Sequence, residues 1–232
     1  MSMERPDTII WIFTAKCNLN CPHCYARRLL SEGELTLEEK LRLIHEIGEL
    51  GVEHVGLSGG EPLIHKELPI ILKELYDQGV YLTLVTNGIN ITYEIASLIK
   101  RCDVFVFISI DGPKEVHEII RGIGTYDKVM EGIKTLRNAG VEYATVMAVN
   151  TYNYNYTGDY VELALNLQAD HAAIIPVMPS GKALESRLWV KPKEYLGAIR
   201  KASCKADELA YEVSFWCTPF LNLITHSKYT RS

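Results

Sequence analysis

The chain has 232 residues, 47% of them hydrophobic, and a formal net charge of −5. That suits one globular domain with a full core and room for a small appendage. The acidity argues against nucleic acid as a partner, since such binding relies on clustered Lys and Arg. No segment approaches the roughly 18 consecutive apolar residues of a membrane span, and Met1 to Asp7 lacks the apolar core of a secretory signal.

In chain order, Thr8 to Thr14 (TIIWIFT) is a β-branched and aromatic run that reads as a buried strand. Thr36 opens a helix, with Glu39 completing a capping box and Gly51 as its stop. His54 to Leu57 is the next strand, and Lys66 to Gln78 the next helix, with Leu68, Ile71, Leu72 and Leu75 as its apolar stripe. The unit then repeats. Tyr81 to Thr86 is a strand, Thr92 to Lys100 a helix, Val104 to Ile110 a strand and Thr125 to Ala139 a helix. Tyr143 to Val149 is a strand, about Asp159 to Leu167 a helix, His171 to Val177 a sixth strand and Pro192 to Leu209 a sixth helix. Strands alternating with helices imply a parallel α/β sheet. Periodicity alone does not separate a partial barrel from a flat doubly wound sheet.

Six cysteines are present, and three fall within eight residues, at Cys17, Cys21 and Cys24. Such grouping reads as metal binding in a reducing, cytoplasmic setting rather than as a disulfide framework. Cys102 and Cys204 read as buried apolar thiols. Three thiolates can hold three corners of an iron–sulfur cluster and leave a fourth iron open. The competing reading is a zinc site with a distant fourth ligand; His23 is a nominal candidate, but it lies between two ligands.

The loop resembles the CxxxCxxC signature of the radical SAM (S-adenosylmethionine) superfamily. Gly59-Gly60-Glu61-Pro62 is similar to that family's GGEP segment. Thr86-Asn87-Gly88, Ser109-Ile110-Asp111-Gly112 and Arg121-Gly122 fall where the family has their counterparts. The resemblance covers roughly residues 8 to 180. It implies a partial (βα)6 TIM-like barrel with the metal loop at the C-terminal end of the first strand. It also implies a [4Fe–4S] cluster on Cys17, Cys21 and Cys24, and SAM chelated to the open iron. One-electron cleavage of SAM would give a 5′-deoxyadenosyl radical that abstracts hydrogen from a substrate.

The same resemblance assigns the remaining site residues. Gly59, Gly60 and Glu61 would take the SAM amino group, Ser109 and Arg121 its carboxylate, and Asp111 the ribose. Asn87 would contact SAM or substrate, and His23 and Tyr25 would lie near the adenine. Each also has a plainer reading: Gly-Gly and Thr-Asn-Gly as turns, Asp111-Gly112 as a turn after a strand, Arg121 as a surface helix residue. Thr151 to Tyr160, with four tyrosines, reads either as a polar loop entering a helix or as a substrate-facing lid.

The domain reading is a tail over 1–7, a core over 8–190, and a C-terminal helix over 191–232, a candidate for the start of a truncated SPASM- or twitch-like extension. Phe215-Trp216-Cys217 would mark that start, yet no cysteine group follows it, which leaves open a minimal enzyme or a shortened one. The function implied is a maturase-type enzyme acting on a peptide or a complex cofactor precursor, served by a reducing partner such as ferredoxin or flavodoxin. A small-metabolite substrate and a non-catalytic iron–sulfur or zinc protein are the alternatives.

Overall fold

The computed structural model describes residues 5–29 and 33–232; the first four residues of the expected tail lie outside them. Eight strands are present among the described residues: β1 (Thr8–Thr14), β2 (His54–Gly59), β3 (Tyr81–Thr86), β4 (Val104–Ser109), β5 (Tyr143–Val149), β6 (Ala172–Pro176), β7 (Val213–Phe215) and β8 (Thr230–Arg231). They form one sheet in sequence order, and every neighbouring pair is parallel. The helices are α1 (Leu37–Glu49), α2 (Leu68–Asp77), α3 (Tyr93–Arg101), α4 (Lys114–Arg121), α5 (Thr125–Asn138), α6 (Thr157–Asn166), α7 (Lys182–Ser186) and α8 (Pro192–Leu209). This is an α/β arrangement of parallel strands in sequence order, as a partial barrel requires.

Local chemistry sets the helix ends. Thr36 and Glu39 form the reciprocal capping box of α1, and Gly51 takes a left-handed φ of +65° just past its end. Thr92 caps α3 by accepting the Ile95 N–H. The outward residues of the central strands, Leu82, Leu84, Val104, Val106 and Ile108, are buried in one core with Ile71, Leu72, Ile99, Ile133 and Leu136 of the helices. Each such side chain contributes about 1.5–3 kcal/mol of transfer free energy.

The opposite face of the sheet lines the inside of the partial barrel. Register places Ile10, Gly56, Thr83 and Phe105 in one row, and Val85, Phe107 and Ala144 in the next. Ser109, Val146, Ala173 and Ser214 form a third row, nearer the strands' C-terminal ends. Phe105, Phe107, His171 and Trp216 make a half-exposed aromatic wall on this face. The Phe105 and His171 rings stack at 5.8 Å, and Phe107 meets Trp216 edge-on at 4.8 Å.

The structure departs from the sequence expectation in three places. Two further strands, β7 and β8, extend the six; at three and two residues they are too short to carry a periodic signal. Helices α4 and α7 occupy stretches to which the sequence reading assigns no helix, apart from Arg121 as a helix residue. Cys204 is exposed, because the buried stripe of α8 runs through Ala198, Ala202 and Ala206 and passes it by, whereas Cys102 is buried as expected.

Candidate functional site

The cysteine loop leaves the C-terminal end of β1 through a register shift between Ile12 and Thr14, which turns the chain off the sheet. The Thr14 hydroxyl accepts the Lys16 N–H at 3.1 Å, and the Cys24 N–H closes a turn over Pro22 onto the Cys21 carbonyl at 3.3 Å. Cys21 is buried; Cys17 and Cys24 are half-buried. Burial pushes the Cys21 thiol up and the Arg121 guanidinium pulls it down, while Asp111, Cys17 and Cys24 add to the rise. The three sulfurs and Arg121 therefore share one electrostatic neighbourhood.

Gly59 and Gly60 are required by backbone packing. Gly59 sits at φ +126°, and a Cβ on it would run into the Thr14 carbonyl; one on Gly60 would run into the Lys16 carbonyl. The Gly60 N–H donates to Thr14 O at 2.6 Å and the Glu61 N–H to Lys16 O at 2.8 Å. The two loops are thus joined immediately before Cys17. Glu61 is fully buried and its carboxylate faces its own chain. It accepts from Leu63 N–H at 3.0 Å, Thr86 Oγ1 at 2.7 Å and Asn87 N–H at 2.7 Å. Burial pushes this carboxyl up, against those three donors and Arg121.

Asn87, at the end of β3, is equally engaged. Its amide donates to Asn18 Oδ1 at 2.8 Å and its Oδ1 accepts the Ile89 N–H at 3.1 Å; Asn18 in turn donates to Asn90 at 2.6 Å. This asparagine chain ties the cysteine loop to the rim beyond β3.

Arg121 closes α4 and donates through Nε to Asp111 Oδ2 at 2.6 Å; both side chains are buried. Asp111 Oδ1 accepts the Ala148 N–H at 2.9 Å, its N–H donates to His117 Nδ1 at 3.2 Å, and its carbonyl accepts from Asn153 at 3.2 Å. Burial alone would raise the Asp111 carboxyl; Arg121, His23, His117 and the Ala148 N–H outweigh it and hold it below the ordinary range. Burial likewise opposes the Arg121 charge, and Asp111, Cys21 and Cys17 overcome it. Burial lowers both His23 and His117 to about 4. His23 Nδ1 and His117 Nε2 are buried with no hydrogen-bond partner among the described residues.

Two expected residues stand apart from this group. Tyr25 is exposed, its hydroxyl 3.2 Å from Ser58 Oγ. Ser109 is buried at the end of β4, on the inner face two residues above Phe107. The tyrosine-rich stretch divides: Tyr160 is fully buried and bonds Thr145 and Ala173, while Tyr152 and Tyr156 are exposed. Asn153 of this stretch and the preceding Asn150, both fully buried, fold a turn against Ala148 and Asp111. Sequence reading missed these asparagines and Asn18. The only signal was the Asn-x-x-Asn spacing in a turn, which a polar loop shows too.

The donor set fits an iron–sulfur cluster and an anionic ligand. Among the described residues no three His, Cys, Asp or Glu side chains converge closely enough to hold a single metal ion. Three thiols on one loop suit the wider corners of a cube. Arg121 commits only Nε among the described residues, so its two terminal amines remain for an anion beside the thiols. A cavity of about 450 Å³ among Lys134, Arg137, Tyr143 and Asp170 lies at the opposite rim and takes no part.

Comparison with known proteins agrees. The Radical SAM superfamily profile matches residues 11–164. The AdoMet-dependent heme synthase of Methanosarcina barkeri is 34% identical over 197 residues, covering 83% of this chain and 56% of that one. The PqqA peptide cyclase of Streptomyces rochei is 30% identical over 206 residues, covering 87% and 57%. The chain thus spans little more than half the length of these curated relatives. Among solved structures, native anSMEcpe with bound AdoMet and Kp18Cys peptide superposes with a TM-score of 0.76 at 21% identity, covering 89% of this chain and 63% of that one, which bears on the fold. With the ordered motifs, the barrel topology and the thiol loop all in agreement, the chain belongs to the radical SAM superfamily.

Proposed function

We propose that the chain is the core of a maturase-type radical SAM enzyme, with a peptide or a complex cofactor precursor as substrate. The family's cofactors are a [4Fe–4S] cluster and SAM; bound together they supply one-electron cleavage of the sulfonium and a carbon-centred radical able to take hydrogen from a substrate. Cys17, Cys21 and Cys24 would hold the cluster. The free amines of Arg121 would take the carboxylate of SAM, with Ser109 on the same rim. Gly59, Gly60 and Glu61 would serve the amino end: the glycines by close backbone approach, Glu61 by fixing the loop through its three internal bonds. Asn87 would act through the asparagine chain, Asp111 as the anchor of Arg121, and His23 and Tyr25 at the nucleobase side.

The observation that carries this reading is the buried guanidinium of Arg121, tethered by one nitrogen and set beside Cys17 and Cys21. The names of the relatives, a heme synthase and a peptide cyclase, support the substrate class. So does the inner wall of Phe105, Phe107, His171 and Trp216, which offers an apolar surface below the rim to a large substrate group. A low-potential electron donor is the implied partner. The test is anaerobic incubation of the reconstituted protein with dithionite and SAM. Formation of 5′-deoxyadenosine and methionine supports the proposal; a cluster-loaded protein that leaves SAM intact contradicts it.

A further inference from the structure

The segment that leaves β6 makes contacts that ligand binding at the thiols does not itself require. Gly181 lies at φ +57° and ψ −136°, a conformation closed to most L residues. A Cβ there would stand 2.6 Å from the Cys24 carbonyl oxygen and 2.8 Å from Tyr25 Cα. The Lys182 N–H donates to Cys24 O at 3.0 Å. The Lys182 ammonium donates to Asn20 Oδ1, and the Ser186 hydroxyl shares its one proton between the Pro22 carbonyl at 2.8 Å and the Lys182 carbonyl of its own helix at 2.9 Å. Three donors from α7 therefore capture the carbonyls on either side of His23 and the side chain preceding Cys21. Among the described residues the loop closes on its own backbone through the Cys24 to Cys21 bond at 3.3 Å.

The holder is itself anchored. Ala183 is fully buried, and the Leu188 carbonyl accepts the Thr151 N–H at 3.1 Å. That turn carries Asn153, which bonds the Asp111 carbonyl. One continuous set of bonds thus runs from the cysteine loop through α7 to the Asp111–Arg121 pair. The thiols give up their protons only as a metal takes them, so a loop without outside ties would bear its ordering cost at that moment.

We propose that Gly181, Lys182 and Ser186 are positioning residues that preset the cysteine loop for its cluster. The inference rests on reading Cys17, Cys21 and Cys24 as cluster ligands. The clasp acts in the apoprotein, by holding the peptide units of Pro22 and Cys24.

Hydrogen exchange of the anaerobic apoprotein, followed over residues 18–25, tests the first part. Lys182→Pro removes both donors of that residue at the first helical position, where proline is tolerated. Combined with Ser186→Ala it is expected to speed exchange in the loop at least tenfold and to hasten iron loss to a chelator several-fold. Ser186→Ala and Lys182→Met singly give smaller effects in the same direction and serve if the double variant does not fold. Wild-type loop amides exchanging at unstructured-chain rates, or a folded double variant matching wild type in exchange and iron loss, would overturn the clasp. If the wild-type protein takes up no iron, the cluster reading fails, and apoprotein exchange still decides whether the clasp exists.

Discussion

Arg121 and Asp111 are joined through one nitrogen and one oxygen, Nε to Oδ2 at 2.6 Å, in a buried setting. The guanidinium is thereby oriented but not consumed. Removing its charge strands Asp111: Arg121→Ala is expected to cost about 3–5 kcal/mol, read by urea unfolding of the apoprotein. Arg121→Lys keeps the charge and loses the fork. It is expected to retain most of the stability while SAM affinity, measured by equilibrium dialysis, falls about tenfold or more, the worth of a charge-assisted bond. Equal losses of stability in both variants would contradict the division.

His117 gives the site a pH signature. It is fully buried and lowered to about 4 by desolvation, with Arg121 lowering it further and Asp111 opposing. The unfolded chain binds its proton near 6.5, so the unfolded state holds more protons between those values. This contribution to stability is complete above about pH 6.5 and is lost as pH falls toward 4, by up to about 3 kcal/mol. His117→Gln keeps an acceptor for the Asp111 N–H and is expected to flatten the slope of unfolding free energy in that window. Denaturant titrations of both apoproteins at several pH values check it; parallel slopes would contradict it.

Gly60 and Gly197 make a matched pair. A Cβ on Gly60 meets the Lys16 carbonyl, whereas one on Gly197 in α8 meets nothing within 4 Å. Gly60→Ala is expected to displace the entry to the cysteine loop and lower iron uptake by half or more. Gly197→Ala is expected to add about 0.5–1 kcal/mol and leave iron uptake unchanged. Iron assays with thermal unfolding separate the two.

Much of the barrel was legible in the chain. The capping box of Thr36 and Glu39 and the β-branched run Thr8–Thr14 are local signals, and the structure carries both at those positions. Strands β7 and β8 were not, since two or three residues give no period. Helix α4 is short and follows the turn residues Asp111-Gly112-Pro113, so only Arg121 within it stands out in the sequence. At the site, the types that hold metal or anion stand out in the sequence, as Cys17, Cys21, Cys24 and Arg121 do. The residues that set those groups in place do not. Asn18, Asn153 and Ser186 act through bonds spanning 69, 42 and 164 residues, which only the folded chain brings together.

Glu61 illustrates the same point from the other side. Its carboxylate is met by three donors of its own chain. Glu61→Gln replaces one accepting oxygen with an NH2 facing a donor, at an expected cost of about 1–3 kcal/mol. Thr86→Val removes a donor to Glu61 and also the acceptor of the buried Gly88 N–H, and is expected to cost a similar amount, about 1–3 kcal/mol. Urea unfolding of the apoproteins reads both; a near-zero cost for either would contradict the assignment.

The central claim is that three thiols hold a cluster with one iron left for SAM. Electron paramagnetic resonance of the dithionite-reduced, reconstituted protein, recorded with and without SAM, addresses it directly. About four irons per chain are expected, with a reduced-cluster signal whose g-values shift on adding SAM, and with the signal absent in Cys17→Ala, Cys21→Ala and Cys24→Ala. A zinc-loaded colourless protein, a signal indifferent to SAM, or a full cluster in any of the three variants would contradict the account.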